Sequence, residues 1–267
     1  MRSLLSLAFI LALFSAAPSA FAMHVLVDPG HGGVDTGAVR GKLKEAEIAL
    51  KVSLKLVELL KKDGRFKVSM TRDSDTQVSL ARRTQIARES GADVFLSVHL
   101  NSSNDPRAHG KEFYFQNQIP ADEEALLVAS RENLEESGTE VTARHEKLSS
   151  GGDVKLILED LHRNHRVRAS AELSKILLEN WIAAGHANRL GSRSIRQAPF
   201  QVVSNVEIPS VLVELGFLTN AVEGPQLATA SYQNELAKSL FEGLVKFKET
   251  VDKNQTHLLN SQTNIAP

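Results

Sequence analysis

Residues 25–27, Val-Leu-Val, make a short apolar run that stops abruptly on Asp28, Pro29, Gly30, His31, Gly32 and Gly33. A β-branched run of that length ending in an acid, a proline and glycines is how a strand buried in an α/β sheet passes into an irregular loop. The glycines on either side of His31 let the backbone take positive φ and approach a ligand closely, so the imidazole is presented without crowding. Taken alone, His31 reads equally as a structural histidine in a glycine turn. Its meaning depends on what the rest of the chain places in matching settings.

Apolar residues every three or four positions from Ile48 to Leu60 describe an amphipathic helix that ends in Lys61, Lys62, Asp63 and Gly64, with cations and a glycine where a helix C-terminus favours them. Glu45 and Glu47 fall in its first turn, where carboxylates complement the helix dipole. Residues 67–71 read as a second strand, residues 79–89 as a helix stopped at Gly91, and residues 94–98 as a third strand that ends on His99. Ligands of open parallel sheets bind beyond the carboxyl ends of the strands. His31 and His99 both occupy that position, on different strands. Further strands are expected at 112–115, 199–203 and 210–213, and the last of these delivers Glu214. A carboxylate at the end of a buried run is costly unless it pairs or does chemistry.

Between the strands lies a charged, helix-prone stretch over about 120–166, broken by Ser149, Ser150, Gly151 and Gly152 and followed by an amphipathic helix over 169–184 with the only tryptophan, Trp181. Inserts of that length are usually functional or flexible; a lid or regulatory helix is one reading and a surface excursion the other. A closing helix is expected over 233–251, then a polar, disordered tail over 253–267. The expected fold is α/β: a single domain, residues 23–252, with a mostly parallel twisted sheet flanked by helices and a helical insert over the cleft.

At the front, Met1-Arg2-Ser3, an apolar stretch over 4–17 and Ala20-Phe21-Ala22 describe a signal peptide, residues 1–22, against the competing reading of a membrane anchor. The mature chain is expected to be periplasmic or secreted. The 31 basic and 32 acidic side chains leave no bulk field for nucleic acid or anionic membrane. With no cysteine, there is no disulfide framework and no thiolate site. Any metal must be held by histidine and carboxylate.

His31, Glu45, His99 and Glu214 therefore form the candidate constellation. Two imidazoles and a carboxylate leave a fourth zinc position open for water, and a second carboxylate beside that water, for which Glu214 is the candidate, would move its proton. The spacing matches no short helical zinc motif.

The blocks 25–38, Glu45 with Leu50, Thr71-Arg72-Asp73, 92–101 and 209–220 resemble, in order and over nearly the whole mature chain, the zinc-dependent N-acetylmuramoyl-L-alanine amidases of the type-3 family. The resemblance implies zinc bound by His31, Glu45 and His99, with Glu214 as catalytic acid/base, and it favours Glu45 over Glu47 as ligand. It implies a monomeric hydrolase of peptidoglycan that cuts the amide between N-acetylmuramic acid and L-alanine. It also implies an insert that covers the cleft until an activator protein displaces it. Leu100 departs from the small residue often found after the family's second histidine. A zinc peptidase acting within the stem peptide is the alternative enzyme, and a wall-binding module that has lost catalysis the alternative from another class. Among the remaining histidines, His109, His145, His162, His165 and His186 are expected at the surface; His145, Glu140 or Glu146 is a candidate to reach the metal in a closed state.

Overall fold

The computed structural model describes residues 22–116, 123–134, 153–186, 194–204 and 206–263. Strand β1 (Met23–Pro29) leads through a short hairpin, β2 (Val39–Arg40) and β3 (Leu43–Lys44), into helix α1 (Glu45–Lys62). Then follow β4 (Phe66–Met70), α2 (Leu80–Ser90), β5 (Val94–Asn101) and β6 (Glu112–Phe115). The insert contributes α3 (Glu123–Leu134) and α4 (Asp153–Trp181). The chain closes with β7 (Ile195–Gln197), α5 (Gln201–Ser204), β8 (Ser210–Phe217), α6 (Glu223–Leu227) and α7 (Ala230–Thr263).

The six-stranded sheet runs β4-β1-β5-β8-β6-β7. Its first four strands are parallel; β6 runs antiparallel to β8, and β7 follows β6. Strands β1, β5 and β8 are buried at every position, as expected of central strands covered on both faces. Alternation sorts their side chains. Val25, Val27, Leu96, Val98, Val211 and Val213 face a core shared with α1, α4 and α7. Leu26, Phe95, Tyr114 and Leu212 face a second core with α2, α3 and α5. This period of two fixes which strand residues can reach the rim, so the loops just past β1, β5 and β8 end side by side.

Local chemistry sets the helix ends. Helix α1 begins without a side-chain cap; its acids Glu45 and Glu47 and its last-turn Lys61 and Lys62 complement the dipole instead. Ser79 caps α2 by accepting from Arg82 N at 3.3 Å, and Gly91 ends it in the left-handed region.

Three expectations change. Residues 199–203 are not a strand: β7 lies just before them, and Gln201–Ser204 form a single helical turn. Pro199 has no N–H for a ladder, and Gln201 N finds Asn133 Oδ1 at 2.9 Å; a short apolar run does not by itself separate strand from buried turn. The helix expected over 169–184 starts earlier, at Asp153, as one continuous rod running out of the insert. The tail expected to be disordered from residue 253 is instead helical to Thr263. No glycine or proline interrupts it there, and Lys248 pairs with Asp252 one turn on at 2.8 Å. Residues 1–21, which carry most of the expected signal peptide, lie outside the described residues. Among the described residues no helix is long and apolar enough to cross a membrane.

Candidate metal centre

The loop after β1 presents His31, buried and at φ 55, the one described non-glycine residue with positive φ. Its Nδ1 lies 2.9 Å from Asp35 Oδ2, which fixes the ring and turns Nε2 inward. From the end of β5 comes His99, and the first residue of α1 supplies Glu45, 1% exposed. Glu45 Oε1 lies 3.2 Å from His31 Nε2 and 3.1 Å from His99 Nδ1. The carboxylate is itself held: Leu100 N donates to Oε1 at 2.8 Å and Ala38 N to Oε2 at 2.9 Å. Glu47 points elsewhere, half-exposed beside Lys44. Leu100 packs its side chain into the core below the sheet, so its size does not reach the site.

Helix α3 adds Glu132, which the sequence reading missed. Its Oε2 stands 3.2 Å from His31 Nε2 and 3.0 Å from His99 Nδ1. Donor atoms of His31, Glu45, His99 and Glu132 all lie within 4.8 Å of one another, a group that could hold a metal ion. A signal was present: Ala125, Val128 and Ala129 are the buried face of α3, and Glu132 continues that face three and seven residues on. Of the residues suggested for a closed state, Glu140, His145 and Glu146 lie outside the described residues. His109, His162 and His165 are exposed.

Glu214 lies on β8 directly beside His99 on β5. It is fully buried, and neither carboxylate oxygen has a hydrogen-bond partner among the described residues. Burial, then the Glu132 and Glu45 carboxylates, push its pKa well above the usual range, with the His99 charge opposing. At His99 burial opposes the charge, but Glu132 and Glu45 outweigh it and push the imidazole up to about 10. His31 is raised in the same way, against burial, by Glu45, Asp35 and Glu132. Glu45 is held low, because the two imidazoles outweigh its burial. The pocket is a focus of negative charge that a cation would neutralise, with the nitrogen and oxygen donors that zinc takes.

The clearances are tight. A Cβ on Gly30 would stand 2.4–2.7 Å from atoms of the His99 ring, and one on Gly37 would meet Glu45 Oε2 and the His31 ring at 2.6 Å. Gly30→Ala is expected to displace the His99 ring and weaken binding of a metal ion there about tenfold, since a small misplacement in such a site is costly. Chelator competition on a protein with a native circular dichroism spectrum checks this; unchanged affinity would show that the ring has room to move.

A mostly parallel sheet whose strand ends bring two imidazoles together with carboxylates from α1 and α3, beside a buried unpaired glutamate, has the make-up of a hydrolase that could use a metal ion. Residues 25–246 match the profile of the N-acetylmuramoyl-L-alanine amidases (Amidase_3), and the chain belongs to that family, whose members hydrolyse peptidoglycan. It is 32% identical to the N-acetylmuramoyl-L-alanine amidase AmiA of Escherichia coli K12 over 237 residues, 87% of this chain and 78% of that one. The N-acetylmuramoyl-L-alanine amidase of Clostridium difficile 630 superposes with a TM-score of 0.63 at 25% identity, covering 85% of this chain and 97% of that one. The CwlD amidase of Clostridioides difficile, solved in complex with the GerS lipoprotein, shares the fold at 23% identity, with a TM-score of 0.62 over 85% of this chain and 99% of that one.

Proposed function

We propose that His31, Glu45 and His99 hold a zinc ion and that Glu214 is the acid/base for cleavage of the amide between N-acetylmuramic acid and the L-alanine of the stem peptide. The observation that carries the reading is Glu214: a fully buried carboxylate with no hydrogen-bond partner among the described residues, one strand away from the converging imidazoles. Such a group is expensive unless it acts. Bound zinc supplies the polarisation of the scissile carbonyl and the acidification of the attacking water. The chain's own residues do the rest. Asp35 and the Leu100 and Ala38 amides keep His31 and Glu45 oriented. Glu214 takes the proton of the attacking water and hands it to the leaving nitrogen of L-alanine, a transfer that suits a carboxyl whose pKa burial has raised.

Glu132 gives the site a closed state. Its carboxylate fills the space at the imidazoles that the substrate carbonyl needs. Helix α3 is held by Ala125, Val128 and Ala129 in the second core and by polar contacts around them: Arg131 Nη1 to Ser102 O at 2.8 Å, Asn133 Nδ2 to Pro199 O at 3.0 Å, and Glu124 to Arg196 at 2.7 Å. The exposed polar contacts hold little, so a partner protein that lifts the insert, acting on a periplasmic or secreted enzyme, has three buried side chains and the Glu132 contacts to displace. The GerS complex of CwlD is a precedent for a protein partner on this fold.

The test is a digest of purified peptidoglycan by the mature chain, with the new ends scored. New L-alanine amino groups without new reducing sugars, abolished by chelation and restored by zinc, are expected. Amino groups arising only deeper in the stem peptide would replace this reading with a peptidase.

A further inference from the structure

Three successive backbone carbonyls of the metal loop, those of Pro29, Gly30 and His31, all accept hydrogen bonds from just two buried arginines. From the turn after β4, Arg72 donates Nε to Pro29 O at 3.0 Å and Nη2 to Gly30 O at 2.6 Å. The same Nη2 reaches Ala46 O at 2.9 Å, in the first turn of α1, and Nη1 reaches Ser74 O at 3.0 Å. From α2, Arg83 donates Nη1 to Pro29 O at 2.7 Å and Nη2 to His31 O at 2.7 Å. Asp28 fixes Arg83 at 2.6 Å and is fixed in turn by the Thr71 and Ser97 hydroxyls. Both guanidinium groups are buried, Arg72 at 4% and Arg83 at 1% exposed.

We infer that Arg72 and Arg83 are positioning residues for the metal: they hold the His31 backbone in its left-handed conformation and tie the His31 loop to the helix that carries Glu45. The inference rests on reading the cluster as a metal centre. Positive φ is uncommon and strained for a residue with a side chain, and it persists only where the surroundings over-determine it. Here two rigid forks do so, meeting at the Pro29 carbonyl and reaching the next two carbonyls from there. Charge is not what they contribute, since two buried cations near a cation site oppose metal binding. What they contribute is geometry. A guanidinium offers several donors in one plane, so a single Arg72 nitrogen spans carbonyls next to both His31 and Glu45. Lysine, a point charge with no fork, cannot bridge them.

Arg72→Lys and Arg83→Lys test this against Leu240→Ala, a core truncation in α7, facing the other layer, that lowers stability without touching the loop. Each protein is measured for zinc affinity by chelator competition, for the visible absorption of its cobalt(II) form, and for thermal unfolding after metal removal. The lysine variants are expected to lose about tenfold in zinc affinity and to show a shifted cobalt spectrum, while Leu240→Ala keeps both despite a comparable drop in Tm. If either lysine variant does not fold, Asp28→Asn, which loosens Arg83 in place, is expected to lower affinity severalfold. Unchanged affinity and spectrum in the folded Arg72, Arg83 or Asp28 variants would overturn the inference, as would equal losses in Leu240→Ala. Failure of the wild-type chain to bind zinc stoichiometrically would instead remove the metal reading on which it stands.

Discussion

Glu214→Gln is expected to lower turnover of peptidoglycan about 10³-fold while leaving zinc content and fold unchanged. General acid/base groups contribute about 10²- to 10⁴-fold, and no other described carboxylate at the site is free to substitute: Glu45 is held by His31 and His99, and Glu132 meets the same two imidazoles. Glutamine keeps the shape of the side chain, so the sheet should not collapse around it. Stability should even improve. The folded-state pKa of Glu214 lies above its ordinary value of 4.5, so between 4.5 and that raised value the folded chain binds more protons than the unfolded one. Stability therefore falls as pH rises through that window, and glutamine carries no such slope. Thermal unfolding of the metal-free proteins at pH 5 and pH 8 should show the variant gaining on the wild type at the higher pH. Turnover near the wild-type rate would remove Glu214 from the chemistry.

Glu132→Ala should act in the opposite direction and raise basal activity, without any partner protein, by about 10- to 100-fold. The carboxylate meets both imidazole nitrogens at 3.0–3.2 Å, and charge-assisted contacts of this kind are worth about 1.5–3 kcal/mol, or roughly 10- to 150-fold in the balance of closed and open forms. An enzyme whose competent form is a minority is slowed by that fraction. Removing the plug without deleting α3 isolates the carboxylate from the helix's other contacts. Adding Glu214→Gln to this variant should abolish the gain, which shows that the released activity is the same chemistry. A folded Glu132→Ala protein with no gain would mean that the Glu132 carboxylate is not what holds the site shut.

Much of this was legible because its causes are local. Strand β1 and its glycine loop announce themselves by a buried run that ends at Gly30 and His31. The apolar stripe of α1 places Glu45 at its first turn, and the strand ends of β5 and β8 put His99 and Glu214 at one edge of the sheet because side-chain alternation and parallel pairing leave them nowhere else. What the residues could not disclose depends on distant partners. Glu132 continues the Ala125, Val128 and Ala129 stripe, but only the packing of that stripe against the second core aims it at the imidazoles. Residues 199–203 look like a strand until Asn133 caps their turn, and the continuous α4 and the long α7 owe nothing to any stop signal that the sequence displays. Arg83 sits on a helix of ordinary appearance, and only burial against Asp28 and the loop carbonyls gives it work. The sequence by itself determined which groups could do the chemistry and at which strand ends they lie, since period and turn chemistry act over a few residues. The tertiary structure alone decided what closes the site and what holds it in shape, since these are contacts between segments that no local pattern couples.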